Sequence, residues 1–148
     1  MSRRTITNFR PSQLIRVALK DLERAEASPH YSVSMGIWHE PEWATNFDAD
    51  DICQVCLAGS MIAFSLEGNR SDDIVPGDFG AEIQDRLLAL DCFRRGKIRA
   101  GLIHMQVLRD EQESPVTDVC AVMPYETDPT AFKDDMAWIA DALEGAGL

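Results

Sequence analysis

From Pro11 to Ala27 the apolar residues Ile15, Ala18, Leu19, Leu22 and Ala25 recur three and four positions apart, with Arg16, Lys20, Glu23 and Arg24 between them. That period marks one buried face of a helix. Pro11 suits its first turn and Ser28-Pro29 stops it. Tyr31, Val33, Met35 and Ile37 then alternate with Ser32, Ser34 and Gly36, the pattern of a short half-buried strand. From Ile52 to Leu66 the chain is almost uninterruptedly apolar, which predicts a helix buried on all sides, capped by Asp50 or Asp51 and ended by Gly68-Asn69. Gly59 and Ala63, four apart, leave room for another element to approach it closely.

Asp78 is placed to cap a further helix carrying Phe79, Ile83, Leu87, Leu90 and Phe93 on one side, with Gly96 as its terminator. Residues Lys97 to Leu108 fit both periods, Ile98, Leu102 and Met105 at helical spacing and Ile103, Met105 and Val107 in alternation; helix is the preferred reading. Val116 to Met123, β-branched and bounded by Pro115 and Pro124, predicts a strand that pairs with residues 31–37. Asp128-Pro129 is a cap followed by a first-turn proline, and Phe132, Met136, Ile139, Ala140 and Leu143 form the stripe of a last helix. These elements predict an α+β fold, mostly helical: four or five helices around a central apolar helix, with a small two-stranded antiparallel sheet.

The length of 148 residues, with no repeat, low-complexity tract or linker, points to one domain spanning 1–148. A chain of this size buries roughly 70% of its unfolded surface, enough for a core without disulfide staples. Nothing after Arg3-Arg4 resembles a secretory signal, and the Ile52–Leu66 run is too short to cross a bilayer. A soluble, cytoplasmic protein with reduced thiols is the expectation. The net charge of −11 is concentrated at one end: from Asp110 onward ten acids face a single base, Lys133. Such a chain is a poor ligand for nucleic acid, which is bound by neutralising phosphates.

Cys53-Gln-Val-Cys56 is the sharpest chemical motif. A redox role needs a thiol activated by cations and a helix N-terminus, but Asp48, Asp50 and Asp51 precede the pair and oppose a thiolate. A zinc role needs two more donors, which His30 and His39 supply in the order H-x8-H-x13-C-x2-C, a spacing that matches no finger pattern. The reading the surroundings favour is two small buried hydrophobes, i and i+3 on the apolar helix, with Cys92 and Cys120 as further core thiols.

Asp48, Asp50 and Asp51 have the composition of a Mg²⁺ cluster and equally that of a helix start, the reading preferred. His104 has no nucleophile or acid motif beside it. Arg94, Arg95, Lys97 and Arg99 suit a phosphate, but sit where cations offset a helix dipole. Trp38, Trp43 and Phe47 lie in one long segment beside Pro41, which reads as a lid on the core ahead of a binding surface. No glycine-rich phosphate loop, G-x-S-x-G or H-E-x-x-H occurs, so no catalytic residue is assigned.

The string Cys53-Gln-Val-Cys56-Leu-Ala-Gly-Ser-Met-Ile-Ala, after Trp38 and before Leu87-Leu-Ala-Leu-Asp-Cys-Phe-Arg-Arg-Gly96, resembles small proteins encoded by bacteriophages and prophages, over roughly the middle half of the chain. No activity comes with that resemblance and no functional residue is carried over. It implies a small accessory protein that binds a host or phage macromolecule. The leading expectation is a non-enzymatic protein–protein interaction through an acidic surface bearing Asp134, Asp135, Asp141 and Glu144, with no cofactor and no membrane. The alternative is a zinc or thiol-redox protein using Cys53, Cys56, His30 and His39. A homodimer, the commonest oligomer, is a further expectation.

Overall fold

The computed structural model describes residues 3–41, 52–107 and 121–148. In chain order these form α1 (Arg3–Thr7), α2 (Pro11–Ala27), β1 (Tyr31–Val33), β2 (His39–Pro41), β3 (Cys53–Val55), α3 (Leu57–Phe64), a 3₁₀ turn (Pro76–Phe79), α4 (Ala81–Arg94), α5 (Ile98–His104) and α6 (Pro129–Gly145). The described part is therefore α+β and mostly helical, with six α-helices and one small sheet.

The two long terminal helices follow their sequence patterns closely. α2 begins at Pro11, and the Gln13 side chain accepts the Arg10 N–H at 3.0 Å. It buries Leu14, Ile15, Ala18, Leu22 and Ala25. It also buries Asp21, which accepts a hydrogen bond from the Ser65 hydroxyl and pairs with Arg24 at 3.2 Å. α6 is capped by Asp128, whose carboxylate accepts the Ala131 N–H at 3.1 Å, and buries the five residues of its stripe, Phe132, Met136, Ile139, Ala140 and Leu143. Residues 97–108 resolve as helix in their first part, α5. The α4–α5 junction is a Schellman turn: Gly96 has φ +75°, its N–H donates to Phe93, and the Lys97 N–H donates to Cys92.

The centre of the chain departs from expectation. The apolar run is two elements: Cys53–Val55 is a strand, and only Leu57–Phe64 is helical. Cys53 and Cys56 are thus not i, i+3 neighbours on a helix. The sheet has three strands in the order β1-β3-β2. β3 runs parallel to β1, with Tyr31 opposite Cys53, and antiparallel to β2, with His39 opposite Val55. Cys53 and Val55 of this central strand are buried and only Gln54 is half-buried, so beside the apolar helix that follows, its three residues read as part of one apolar run. Its antiparallel neighbour β2, His39-Glu40-Pro41, has little strand propensity, and Pro41 is tolerated because β2 lies at an edge.

Among the described residues β1 pairs with β3, and the expected pairing of 31–37 with 116–123 is not seen. β1 stops at Val33; residues 121–123 are not in a strand, and 116–120 lie outside the described residues. The cap of α3 is Cys56, whose sulfur accepts the Gly59 N–H at 3.3 Å; Asp50 and Asp51 lie outside the described residues. Asp78 does not cap α4. It closes the 3₁₀ turn by accepting the Val75 N–H at 2.9 Å, and Gly80 precedes the helix.

α3 is buried from Leu57 through Ile62, but it is only eight residues, about 12 Å, long. It shares the centre with α2, which packs on α3, α6, β1 and α4. The main core joins Leu14, Ile15 and Leu22 of α2 to Leu57, Met61 and Ile62 of α3, Leu87, Leu90 and Phe93 of α4, and Phe132 and Met136 of α6. A second, smaller cluster holds Ala25, Cys53 and Val55, with Tyr31 and Phe64 against it.

Candidate functional site

Strand alternation puts Cys53 and Val55 of β3 on one face with His39 and Pro41 of β2, all four buried on that face. The His39 ring spans two partners there. Its Nδ1 lies 2.9 Å from the Asp72 carbonyl and its Nε2 lies 3.5 Å from Cys53 Sγ. The carbonyl only accepts, so Nδ1 carries the hydrogen, and Nε2 is left to accept from the thiol. Burial lowers the imidazole pKa below its usual value, which disfavours the charged ring. Burial also pushes the Cys53 thiol up to about 12.

Cys56 faces elsewhere. It belongs to the main core, only 1% exposed, and burial pushes it up to about 11. His30 is exposed at the turn before β1, where its backbone carbonyl accepts the Cys53 N–H at 2.9 Å. Of the four sequence-predicted zinc donors the fold therefore brings His39 and Cys53 together and turns Cys56 into a helix cap. Among the described residues no three His, Cys, Asp or Glu side chains are grouped to hold a metal ion. Burial moves both thiols upward, the opposite direction to the lowered pKa of a redox cysteine.

The Trp38 side chain is half-buried and packs on the main core, as a lid would; Trp43, Phe47, Asp48 and Cys120 lie outside the described residues. Its backbone carbonyl presses against Gly59 of α3, as the small residue there allows. Below it opens a half-enclosed cleft of ≈ 250 Å³ lined by Gly36, Trp38, Cys56, Asp91, Arg94 and Arg95. Asp91, 7% exposed, holds both arginines: Arg94 through Nε at 2.8 Å and Nη2 at 2.6 Å, and Arg95 through Nη2. His104 is half-buried on α5 and is not part of this cleft.

The acidic residues of α6 divide by role. Asp141 and Glu144 both pair with Arg16 of α2, at 2.9 Å for Asp141, and so fasten the two helices. Asp135 accepts the Met123 N–H at 2.8 Å. Asp134 is exposed. Nearer the start of the helix Lys133 reaches Glu26 of α2 at 2.5 Å, and the Tyr125 hydroxyl donates to the same carboxylate at 2.6 Å.

Trp138 stands out in the midst of these acids. It is 59% exposed, the most exposed of the large hydrophobic side chains among the described residues. Asp134 and Asp135 lie one turn before it and Asp141 one turn after, on neighbouring positions of the helix surface. Met123, tethered by its backbone to Asp135, is also exposed. The signal was present in the sequence: Trp138 falls off the 132-136-139-140-143 stripe and so had to face outward.

Among the described residues the chain is thus α+β and mostly helical, with Cys53, Cys56 and His39 buried and an exposed tryptophan on α6 flanked by acids. No protein-family model, curated protein or solved structure matches this chain.

Proposed function

We propose that this protein is a non-enzymatic accessory protein that works by protein–protein interaction, docking the Trp138 face of α6 on a basic protein partner. The observation that carries the reading is the 59% exposure of Trp138 between Asp134, Asp135 and Asp141. A large aromatic is the residue type that most often anchors an interface, and charges around it steer and orient the partner. The occupant is set by charge complementarity. From Glu126 to Glu144 six carboxylates face Lys133 and the Arg16 of α2 that pairs with Asp141 and Glu144, a balance still acidic, so a segment carrying Lys or Arg beside an apolar side chain fits, and an anionic one is repelled. A second copy of this chain, itself at −11, is disfavoured on the same ground. A role in the cytoplasm suits the three described cysteines, which are all free.

Affinity isolation with the wild type and with two variants, Asp134→Lys and Trp138→Ser, tests this. A protein with a basic surface retained by the wild type and lost with both variants is the expected result. Equal recovery by all three, or a dimer mass in light scattering that both variants abolish, refutes it.

One contact favours a second reading, zinc or thiol chemistry at Cys53, the first cysteine of the C-x-x-C pair. The 3.5 Å between Cys53 Sγ and His39 Nε2 suits a hydrogen bond and also two donors of a tetrahedral zinc site, which bond lengths place ~3.5 Å apart. Elemental analysis of protein purified without chelator decides it: less than about a tenth of an equivalent of zinc per chain rules out a structural site, whose binding is tight.

A further inference from the structure

We propose that the cleft beneath Trp38 is a binding site for a small organic oxyanion, a carboxylate or phosphate carried on a planar ring. The cleft inverts the charge of the protein locally. Two guanidiniums meet one carboxylate there, leaving one positive charge on a chain of net −11. Asp91 is buried and fixes both arginines from beneath, so their forks are already oriented and little side-chain freedom remains to be lost on binding. Each guanidinium has five N–H groups, more than a single carboxylate absorbs, in the planar geometry that matches carboxylate and phosphate oxygens.

Two further features of the same cleft point the same way. Cys56, the N-cap of α3, lines the cleft, so the positive end of the helix dipole lies beside it. The cap there is a thiol, which stays neutral through the physiological range, where an aspartate would have cancelled the dipole. The indole of Trp38 supplies the apolar wall for a ring, and Gly36 at the rim, with φ +94° and nothing within 4 Å of where a Cβ would stand, leaves the mouth open. The volume of ≈ 250 Å³ lies below the ≈ 300–1,000 Å³ of pockets for drug-sized molecules, so the ligand is smaller than those. The last-turn cations read in the sequence as helix-dipole partners thus serve both purposes: Arg94 and Arg95 end α4 and line a cavity.

The test uses the full chain, with the Trp38 indole N–H resonance assigned by Trp38→Phe. Benzoate, phenyl phosphate and inorganic phosphate are titrated against sodium chloride at equal ionic strength. The expected result is a saturable shift of Trp38, Cys56 and Arg95 signals with phenyl phosphate, benzoate or both. Inorganic phosphate, lacking the ring, binds more weakly. Arg95→Gln, at a half-exposed side chain whose thermal melt is checked first, weakens binding at least about fivefold, the loss of one charge-assisted hydrogen bond. Binding of phenyl phosphate alone identifies a phosphate monoester and binding of benzoate alone a carboxylate, and either supports the site. No saturation by ~10 mM, the weak end of small-ligand affinity, overturns it. So do shifts centred away from the cleft, or equal affinity in a folded Arg95→Gln.

Discussion

Replacing glycine by alanine inside a helix ordinarily stabilises by about 1 kcal/mol, because alanine loses less backbone entropy. The fold reverses that sign at Gly59. A Cβ built there falls 1.5 Å from the Trp38 carbonyl oxygen, 2.7 Å from its carbonyl carbon and 3.2 Å from Val55 Cβ. The obstruction is backbone, so no rotamer relieves it. The segment before β2 has to move off α3 by roughly 2 Å to reach ordinary contact distance. Overpacking of this kind costs ~1–3 kcal/mol or more. Gly59→Ala is therefore expected to destabilise by about 2 kcal/mol net of the propensity gain, lowering Tm by about 4–8 °C in a chain of this size. Gly145→Ala is the internal control. It is the last residue of α6, with nothing within 4 Å of the added carbon, so the same substitution gains up to about 1 kcal/mol. Urea unfolding of the two variants reads both signs in one assay. A Gly59→Ala protein as stable as the wild type, or more so, refutes the close packing of the Trp38 backbone on α3 and with it one wall of the cleft.

The sulfur chemistry gives a second expectation. With Cys53 at about 12 and Cys56 at about 11, both buried, site-resolved mass spectrometry should find neither alkylated in the native protein at pH 8 and both alkylated once it is unfolded; native labelling at the unfolded rate contradicts the burial. His39 gives a pH dependence. Its pKa is lowered in the folded state, so the unfolded chain takes up the proton first, and the stability present above about pH 6.5 is lost as pH falls below it. Thermal melts from pH 8 to pH 5 should show that fall, and His39→Gln should flatten it; an unchanged slope in the variant refutes a buried neutral imidazole. Asp128→Ala removes the cap of α6 and should cost about 1 kcal/mol in urea unfolding, with no loss meaning that the cap is redundant.

What was legible in the sequence follows from which physical signal each element carries. α2 and α6 lie on the surface with one face buried, so their helical period, their prolines and the Asp128 cap survive in the sequence and predict the buried residues closely. The Cys53–Leu66 run hid a strand-to-helix break, because a nearly continuous apolar sequence shows neither period clearly. Only the Cys53-Gln54-Val55 alternation marks the strand, and three residues are too few to read. The parallel pairing of β1 with β3 was invisible, since it depends on a partner 22 residues away and on a weak edge strand. The acids of α6 were identified as a group, but their division was not. Asp141 and Glu144 are spent on Arg16, 125 and 128 positions back in the chain, and no local pattern announces such a pair. The arginines at the end of α4 were noticed for the right chemistry, but Trp38 and Cys56, which complete the cleft, come from distant segments.

The central claim is that the Trp138 face of α6 meets a basic protein. A photo-reactive phenylalanine analogue installed at position 138, with a second at the exposed Ile103 of α5 as control, tests it in the producing cell. The account predicts a discrete adduct from position 138 alone, whose cross-linked peptide is rich in Lys and Arg and which disappears when Asp134 is changed to Lys. An adduct with a second copy of this chain, an equal yield from position 103, or no adduct at all contradicts it.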